Sequence, residues 1–125
     1  MDDLDTLYFY LFTTAIEGGV GYWARSEGYH WSIDGKGDIN DVKGFRAILH
    51  DSVEGGEYVV DRSVIAKGIR ALAANKVTFG SQPMNADNRI TKLAKTLLRD
   101  RDGDYDAGDA DNIVQAGLFG DIRYG

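Results

Sequence analysis

The chain has 125 residues, of which 43 % are hydrophobic, and it carries a formal net charge of −6 at neutral pH. A chain this acidic is a poor general binder of nucleic acid, because such binding needs Lys and Arg against phosphates. It can still imitate nucleic acid toward a basic partner. The lack of cysteine excludes disulfides, thiolate metal sites and a cysteine nucleophile.

The first predicted element is an amphipathic helix. Apolar side chains recur at three- and four-residue steps from Leu4 to Ile16, and acidic residues stand at the start, where the helix dipole favours negative charge. Two outcomes are possible at Gly18 and Gly19. Either they end this helix and residues 22–23 begin a second helical piece, or the helix runs on through both glycines.

A short antiparallel β-meander is predicted next. Its three strands are residues 30–33, 45–50 and 57–60. A turn over 34–38 follows the first strand, and the glycine-containing loop at 54–56 connects the other two as a hairpin.

Two further helices follow the meander. Asp61 is predicted to cap the first of them, and Asn75 is predicted to end it. Its buried face comprises Val64, Ile65, Gly68, Ile69 and Leu72. Residues 77–79 form a small strand or an extended link, and 80–83 form a loop. The next helix is predicted to start at Asn85 or Asp87, with an apolar stripe of Ile90, Leu93, Ala94, Leu97 and Leu98.

The last predicted helix starts at Asp109 or Asp111 and ends at Gly120, after which residues 122–124 trail off. The order of elements is a helix, a short antiparallel β-meander and then three helices. This order predicts an α+β fold in a single domain over residues 1–125.

An acidic segment precedes the last helix. Residues 100–111 hold six aspartates and one arginine, so they carry −5 of the total charge of −6. The basic residues Arg89, Lys92, Lys95 and Arg99 lie just before this segment, and we expect internal charge pairs between them and the aspartates.

Three interpretations of the acidic segment remain open. Asp100, Asp102, Asp104 and Asp111 match positions one, three, five and twelve of a calcium-binding EF-hand loop. Position six, which requires glycine, is Tyr105 in this chain, so the match is partial. The second interpretation is a solvated loop in which Asp109 or Asp111 caps a helix. The third is an acidic partner surface comprising Asp100, Asp102, Asp104 and Asp106.

A glycine- and aromatic-rich segment spans residues 17–31. Glycines let backbone amides approach a ligand, aromatic rings stack on planar groups, and arginine pairs with phosphate or carboxylate. This composition predicts a pocket for a small, nucleotide-like ligand, with binding residues Glu17, Gly19, Gly21, Tyr22, Trp23, Arg25, Tyr29 and Trp31. In the alternative interpretation the aromatic residues belong to the core and the glycines only make turns.

No sequence motif indicates catalysis. The two histidines, His30 and His50, occur in no metal-binding pattern, and the chain has no GxSxG motif. We therefore assign no catalytic residue and expect a non-enzymatic protein. No cofactor is expected, apart from Ca²⁺ if the acidic segment is a calcium loop.

Three stretches of the sequence resemble small, uncharacterised accessory proteins of bacteriophages, especially those of actinobacteria. They are TTAIEGGVGYWA at 13–24, FRAILHDSVEGGEYVVD at 45–61 and DYDAGDADNIVQAGLFGDIRYG at 104–125. The resemblance carries over no site residue. It implies a phage protein in the host bacterial cytoplasm that inhibits or decoys a host system.

The predicted partners follow from these hypotheses. They are a small ligand or a host protein, with no direct binding to nucleic acid or membrane. The chain has no apolar run of about 20 residues, which a membrane span requires, and its acidic N-terminus is unlike a signal peptide. We also expect a homo-oligomer, since a pocket between subunits excludes more water than one small core does.

Overall fold

The computed structural model describes residues 3–30, 44–101 and 103–125, without the side chains of residues 3, 29 and 30. These residues form an α+β fold in the predicted order: an N-terminal helix, an antiparallel three-stranded sheet and then three helices. Three very short strands form a second, smaller sheet, and sequence reasoning anticipated only one of them.

The first helix, α1, spans Asp3–Thr14 and continues directly into a π-helix at Ala15–Gly19. The helix therefore continues through Gly18 and Gly19, which is the second of the two predicted alternatives. Gly19 packs against the first turn of a later helix, where a Cβ would lie 2.5 Å from the carbonyl oxygen of Ala107. Glycine is needed at this position because the two backbones meet there.

Three strands build the main sheet: β1 at Ala24–His30, β2 at Arg46–Asp51 and β3 at Glu57–Asp61, in the order β1-β2-β3. The two later strands lie where they were predicted. The first strand, β1, begins six residues before the predicted strand 30–33, within the glycine- and aromatic-rich segment, and includes His30. The rest of the predicted strand and the turn at 34–38 lie outside the described residues.

Helix α2 spans Arg62–Ala73 and begins at the predicted cap, since the Asp61 carboxylate accepts the Val64 amide at 3.1 Å. Asn75 has a φ of 54°, which closes the helix in the left-handed conformation. Helix α3 spans Arg89–Asp100 and is capped by Asn88. The predicted start at Asn85 or Asp87 was therefore early by one to three residues.

Helix α4 spans Ala107–Phe119, and its cap corrects the prediction. Asp106 accepts the Asp109 amide, while the Asp109 carboxylate accepts the Asp106 amide, which together form a capping box. Asp109 is therefore the third residue of the helix and not its cap. Gly120 ends the helix in the left-handed conformation, as predicted.

A small second sheet joins the last strand to the region after α2. Strand β4 (Thr78–Phe79) pairs antiparallel with β5 (Gln82–Pro83) and parallel with β6 (Asp121–Ile122). Residues 122–124 therefore do not trail off, because the end of the chain is anchored on the body of the protein.

The core lies between the inner face of the main sheet and the helices. Leu11, Phe12, Leu49, Ile69 and Ile113 are among its fully enclosed members. Helices α2 and α4 cross at Gly68 and Gly117, where a Cβ on either residue would overlap a carbonyl oxygen of the other helix. The contact between these two helices therefore depends on glycine.

We predict that Gly117→Ala lowers the free energy of unfolding by about 2 kcal/mol, because the new methyl group meets the Val64 carbonyl and forces the helices apart. Urea denaturation followed by circular dichroism measures the change. Gly21→Ala is the matched control, since no atom lies within 4 Å of its Cβ position. Equal stability of the two variants would contradict a close crossing.

Candidate functional site

Trp23 lies in the interior of the protein. Its side chain is 1 % exposed, and its indole N–H donates to Asp111 Oδ1 at 2.8 Å. The ring of Tyr124 stacks on it at a centroid distance of 5.0 Å, and Phe119 meets it edge-on at 5.9 Å. These contacts leave the indole no open face for a guest molecule.

Tyr22 binds the same carboxylate from the protein surface. Its hydroxyl donates to Asp111 Oδ2 at 2.5 Å, although the residue as a whole is 58 % exposed. Burial of the hydroxyl raises the pKa of Tyr22, and its hydrogen bond to the Asp111 carboxylate raises that pKa further. The hydroxyl is therefore held as a neutral donor.

Asp111 and Gln115 lie one turn apart on α4 and are both enclosed, at 2 % and 0 % exposure. Gln115 Nε2 lies 3.1 Å from each oxygen of the Asp111 carboxylate. Burial raises the pKa of Asp111, although the bonds from Tyr22, Trp23 and Gln115 oppose that rise by favouring the charged form. The carboxylate is thus enclosed and surrounded by donors.

Gln115 also holds the end of the chain. Its Oε1 accepts the backbone N–H groups of Arg123 and Tyr124, both at 2.8 Å, while its Nε2 donates to the Tyr124 carbonyl at 3.0 Å. One amide side chain therefore satisfies three backbone groups of the C-terminal segment, in the way a neighbouring strand would.

Asp51 completes this arrangement on the main sheet. The Tyr124 hydroxyl donates to Asp51 Oδ2 at 2.5 Å, and Oδ1 accepts the amides of Val53 and Glu54. Burial acts to raise the pKa of Asp51, but these bonds outweigh it and the pKa is lowered. Burial and the bond to Asp51 raise the pKa of Tyr124 to about 12.

We call this group the C-terminal clamp, and it consists of Tyr22, Trp23, Asp51, Asp111, Gln115 and Tyr124. Sequence reasoning missed three of its members: Asp51, Gln115 and Tyr124. A polar residue among the buried positions 113–116 of a helix was a usable signal for Gln115, because buried amides need partners. No comparable local signal marked Asp51 or Tyr124.

The described members of the predicted ligand-binding set are divided: Gly19 packs against Asp111, where Tyr22 and Trp23 also meet, and Arg25 lies apart from them. Arg25 lies on the outer face of the main sheet, 3.7 Å from Glu27 and 66 % exposed. Glu17 and Gly19 belong to the π-helix, and Gly21 lies in the following turn with open space around it. The side chain of Tyr29 and all of Trp31 lie outside the described residues.

The aspartates of the acidic segment divide into two groups. Asp109 and Asp111 are buried, and Asp109 is paired with Arg89 through contacts of 2.5 and 2.9 Å. Asp100 lies 2.9 Å from Arg99. The Arg89–Asp109 pair confirms the predicted charge pairing for Arg89, whereas the Arg99–Asp100 pair joins neighbouring residues at the end of α3.

Asp104 and Asp106 remain at the surface, and Asp102 lies outside the described residues. In the parts of the chain that the structure describes, no three Asp, Glu or His side chains are close enough to hold a metal ion. Asp111, the twelfth residue of the predicted calcium loop, instead accepts hydrogen bonds from Tyr22 and Trp23 within the C-terminal clamp.

A half-buried tyrosine, Tyr105, lies between the surface aspartates Asp104 and Asp106 in the chain. Burial raises the pKa of its hydroxyl, which faces Thr14 and lies within electrostatic range of Tyr10. Tyr10 itself is 45 % exposed. We call Tyr10, Thr14, Asp104, Tyr105 and Asp106 the Tyr10–Asp106 face. The sequence did offer a signal for the exposure of Tyr10, because this residue lies outside the apolar stripe of α1.

We predict that Gln115→Met, which keeps the volume but removes the polar atoms, lowers the free energy of unfolding by about 3 kcal/mol, because it leaves the amides of Arg123 and Tyr124 without an acceptor. Trp23 fluorescence should also shift to longer wavelength as the tail loosens. Urea titration of both signals measures this. Asn112→Ala on the same helix is the control. If Gln115→Met lost no more stability than Asn112→Ala, the role assigned to the glutamine would be contradicted.

We predict that Asp109→Asn costs about 1.5 kcal/mol at pH 7, since asparagine can accept the Asp106 amide but cannot pair as an anion with Arg89. The bond from Arg89 lowers the pKa of Asp109, although burial opposes this. A lowered pKa stabilises the fold above the unfolded pKa of about 3.9 and stops doing so as the pH falls through the folded pKa.

The stability difference between wild type and Asp109→Asn should therefore shrink as the pH is lowered below about 4. Thermal melts across this pH range test the expectation. The control is Asp100→Asn, which removes an exposed pair with Arg99 and should change stability little. A difference that stays constant with pH would show that the charge of Asp109 is not what matters.

Comparison with known proteins assigns no family. No family model, curated protein or solved structure matches the chain. Among the described residues, no helix is long and apolar enough to cross a membrane. Assignment of a function therefore depends on the contacts, exposure and charge of the described side chains.

Proposed function

We propose that this protein is a non-enzymatic binding protein whose Tyr10–Asp106 face docks onto a basic site of a partner protein. The observation that carries the proposal is the exposure of Asp104 and Asp106 on either side of Tyr105, whose hydroxyl lies within electrostatic range of the exposed Tyr10. The partner is expected to present arginine or lysine side chains.

Aromatic and acidic groups together suit such a site. Tyrosine is enriched among the residues that dominate binding at protein interfaces, and its ring attracts a guanidinium group placed over its face. Carboxylates next to the ring can accept the N–H groups of the same arginine. A partner that normally binds phosphates would therefore find two carboxylates and a stacking ring on this face.

The interior contacts of the acidic segment support the same reading. Asp109 and Asp111 are already satisfied within the fold, so their charges are not available to a partner. The cap at Asp106 fixes the start of α4 and hence the position of Asp104 and Tyr105. Asp104, Tyr105 and Asp106 of this face are therefore held at the ordered start of α4.

The biological setting remains part of the proposal. The resemblance to phage accessory proteins favours a host protein as the partner, in the host bacterial cytoplasm, and inhibition of a host defence system as the outcome. Binding of a small nucleotide-like ligand stays a prediction, and it receives no support from Trp23 because that indole is enclosed.

We predict that Asp104→Asn/Asp106→Asn weakens binding to an arginine-rich peptide by about tenfold, since it removes two charges from the face. The fold should be preserved, because asparagine caps helices as well as aspartate does. Isothermal titration calorimetry at low and high salt measures both the affinity and its screening.

The matched control is Asp87→Asn/Glu57→Gln, which removes two exposed carboxylates elsewhere and changes the net charge by the same amount. The same pair of variants can be compared in affinity capture from actinobacterial lysate. Equal losses of binding in both variants would show that binding depends only on the net charge of the protein, which would contradict a specific binding face.

A further inference from the structure

The pairing of β1 with β2 determines which backbone N–H and C=O groups of β1 point toward its outer edge. Ser52 donates its amide to the Trp23 carbonyl at 2.8 Å, and the register continues with Arg25 opposite His50 and Glu27 opposite Ile48. In an antiparallel ladder, hydrogen-bonded pairs occur at every second residue. The amide and carbonyl of Ser26 must then point away from β2, toward the outer edge.

This edge is not paired within the described part of the chain. The sheet has the order β1-β2-β3, so β1 is an outermost strand of those described. Ser26 is exposed, and so are its two neighbours on the outer face of the sheet, Arg25 and Glu27. The Ala24 amide is already used, since it donates to the Val20 carbonyl at 2.9 Å.

The charges beside Ser26 are self-complementary. If a second β1 approaches antiparallel with its own Ser26 opposite this one, Arg25 of each copy lies opposite Glu27 of the other. Arg25 and Glu27 would then occupy non-hydrogen-bonded pairs, in which opposed side chains lie closest together. A twofold axis at Ser26 therefore creates two identical ion pairs from one sequence.

We propose that the protein forms a homodimer by antiparallel pairing of two β1 strands about Ser26, which joins the two main sheets into one six-stranded sheet. The reciprocal Ser26 amide–carbonyl bonds form the centre, and the two Arg25–Glu27 pairs flank them. The interface is isologous, with the same residues contributed by each copy. It is independent of the Tyr10–Asp106 face, which lies on other elements.

Two features limit the strength of this dimer. The register of β1 shifts between Glu27 and His30, and Gly28 has a φ of 60°, so the regular stretch available for pairing is short. Glu27 also contacts Arg25 at 3.7 Å and lies 2.7 Å from His50 Nε2, without hydrogen-bond geometry in the latter case. The dimer should therefore depend on protein concentration and salt.

Charge reversal tests the pairing directly. Sedimentation velocity over a wide concentration range should show a monomer–dimer equilibrium for the wild type. Arg25→Glu or Glu27→Arg alone turns both attractive pairs into repulsive ones and should raise the dimer dissociation constant by about tenfold or more. An equimolar mixture of the two variants should form heterodimers, because every pair again joins opposite charges.

Two controls separate dimerisation from folding and from net charge. Lys67→Glu changes the net charge as much as Arg25→Glu does, but at an exposed position on α2, and should dimerise like the wild type. Each variant is checked by circular dichroism for a native spectrum and melting temperature. A wild type that is monomeric at every concentration, or two single variants that dimerise unchanged, would overturn the proposal.

Discussion

The buried carboxylate of Asp111 is the constraint on which the rest of the structure depends. A charged or polar group removed from water costs several kcal/mol unless hydrogen bonds replace the lost hydration. Tyr22, Trp23 and Gln115 supply those bonds from two distant parts of the chain. Because each donor has a fixed place in this arrangement, the carboxylate determines how the turn after the π-helix packs against α4.

The same interactions secure the end of the chain. Gln115 pairs with the backbone at Arg123 and Tyr124, and the Tyr124 hydroxyl reaches Asp51 on the main sheet. The tail thereby joins α4 to the hairpin between β2 and β3. Of the aromatic residues predicted to contact a ligand, Tyr22 and Trp23 are engaged in these internal contacts. Tyr10, Asp104 and Asp106, by contrast, stay exposed.

Local patterns predicted much of the fold, and long-range pairing accounts for most of what they missed. Apolar periodicity located the helices, and side-chain capping at Asp61 and left-handed closure at Asn75 followed from residue type. Several aspartates in a row made the cap of α4 ambiguous, because any of them can accept an amide. The bond between Tyr22 and Asp111 joins residues 89 positions apart, and no local pattern encodes such a partner.

The Trp23 indole is enclosed and bonded to Asp111, and hydrogen exchange of the indole N–H measures this directly. We expect this proton to exchange only through global unfolding, with a free energy of opening equal to the stability of the protein. Its resonance can be distinguished from that of Trp31 by the variant Trp31→Phe. If the indole N–H of the native protein exchanged at the rate of a free indole, the clamp would be contradicted and Trp23 would be accessible to solvent and ligands.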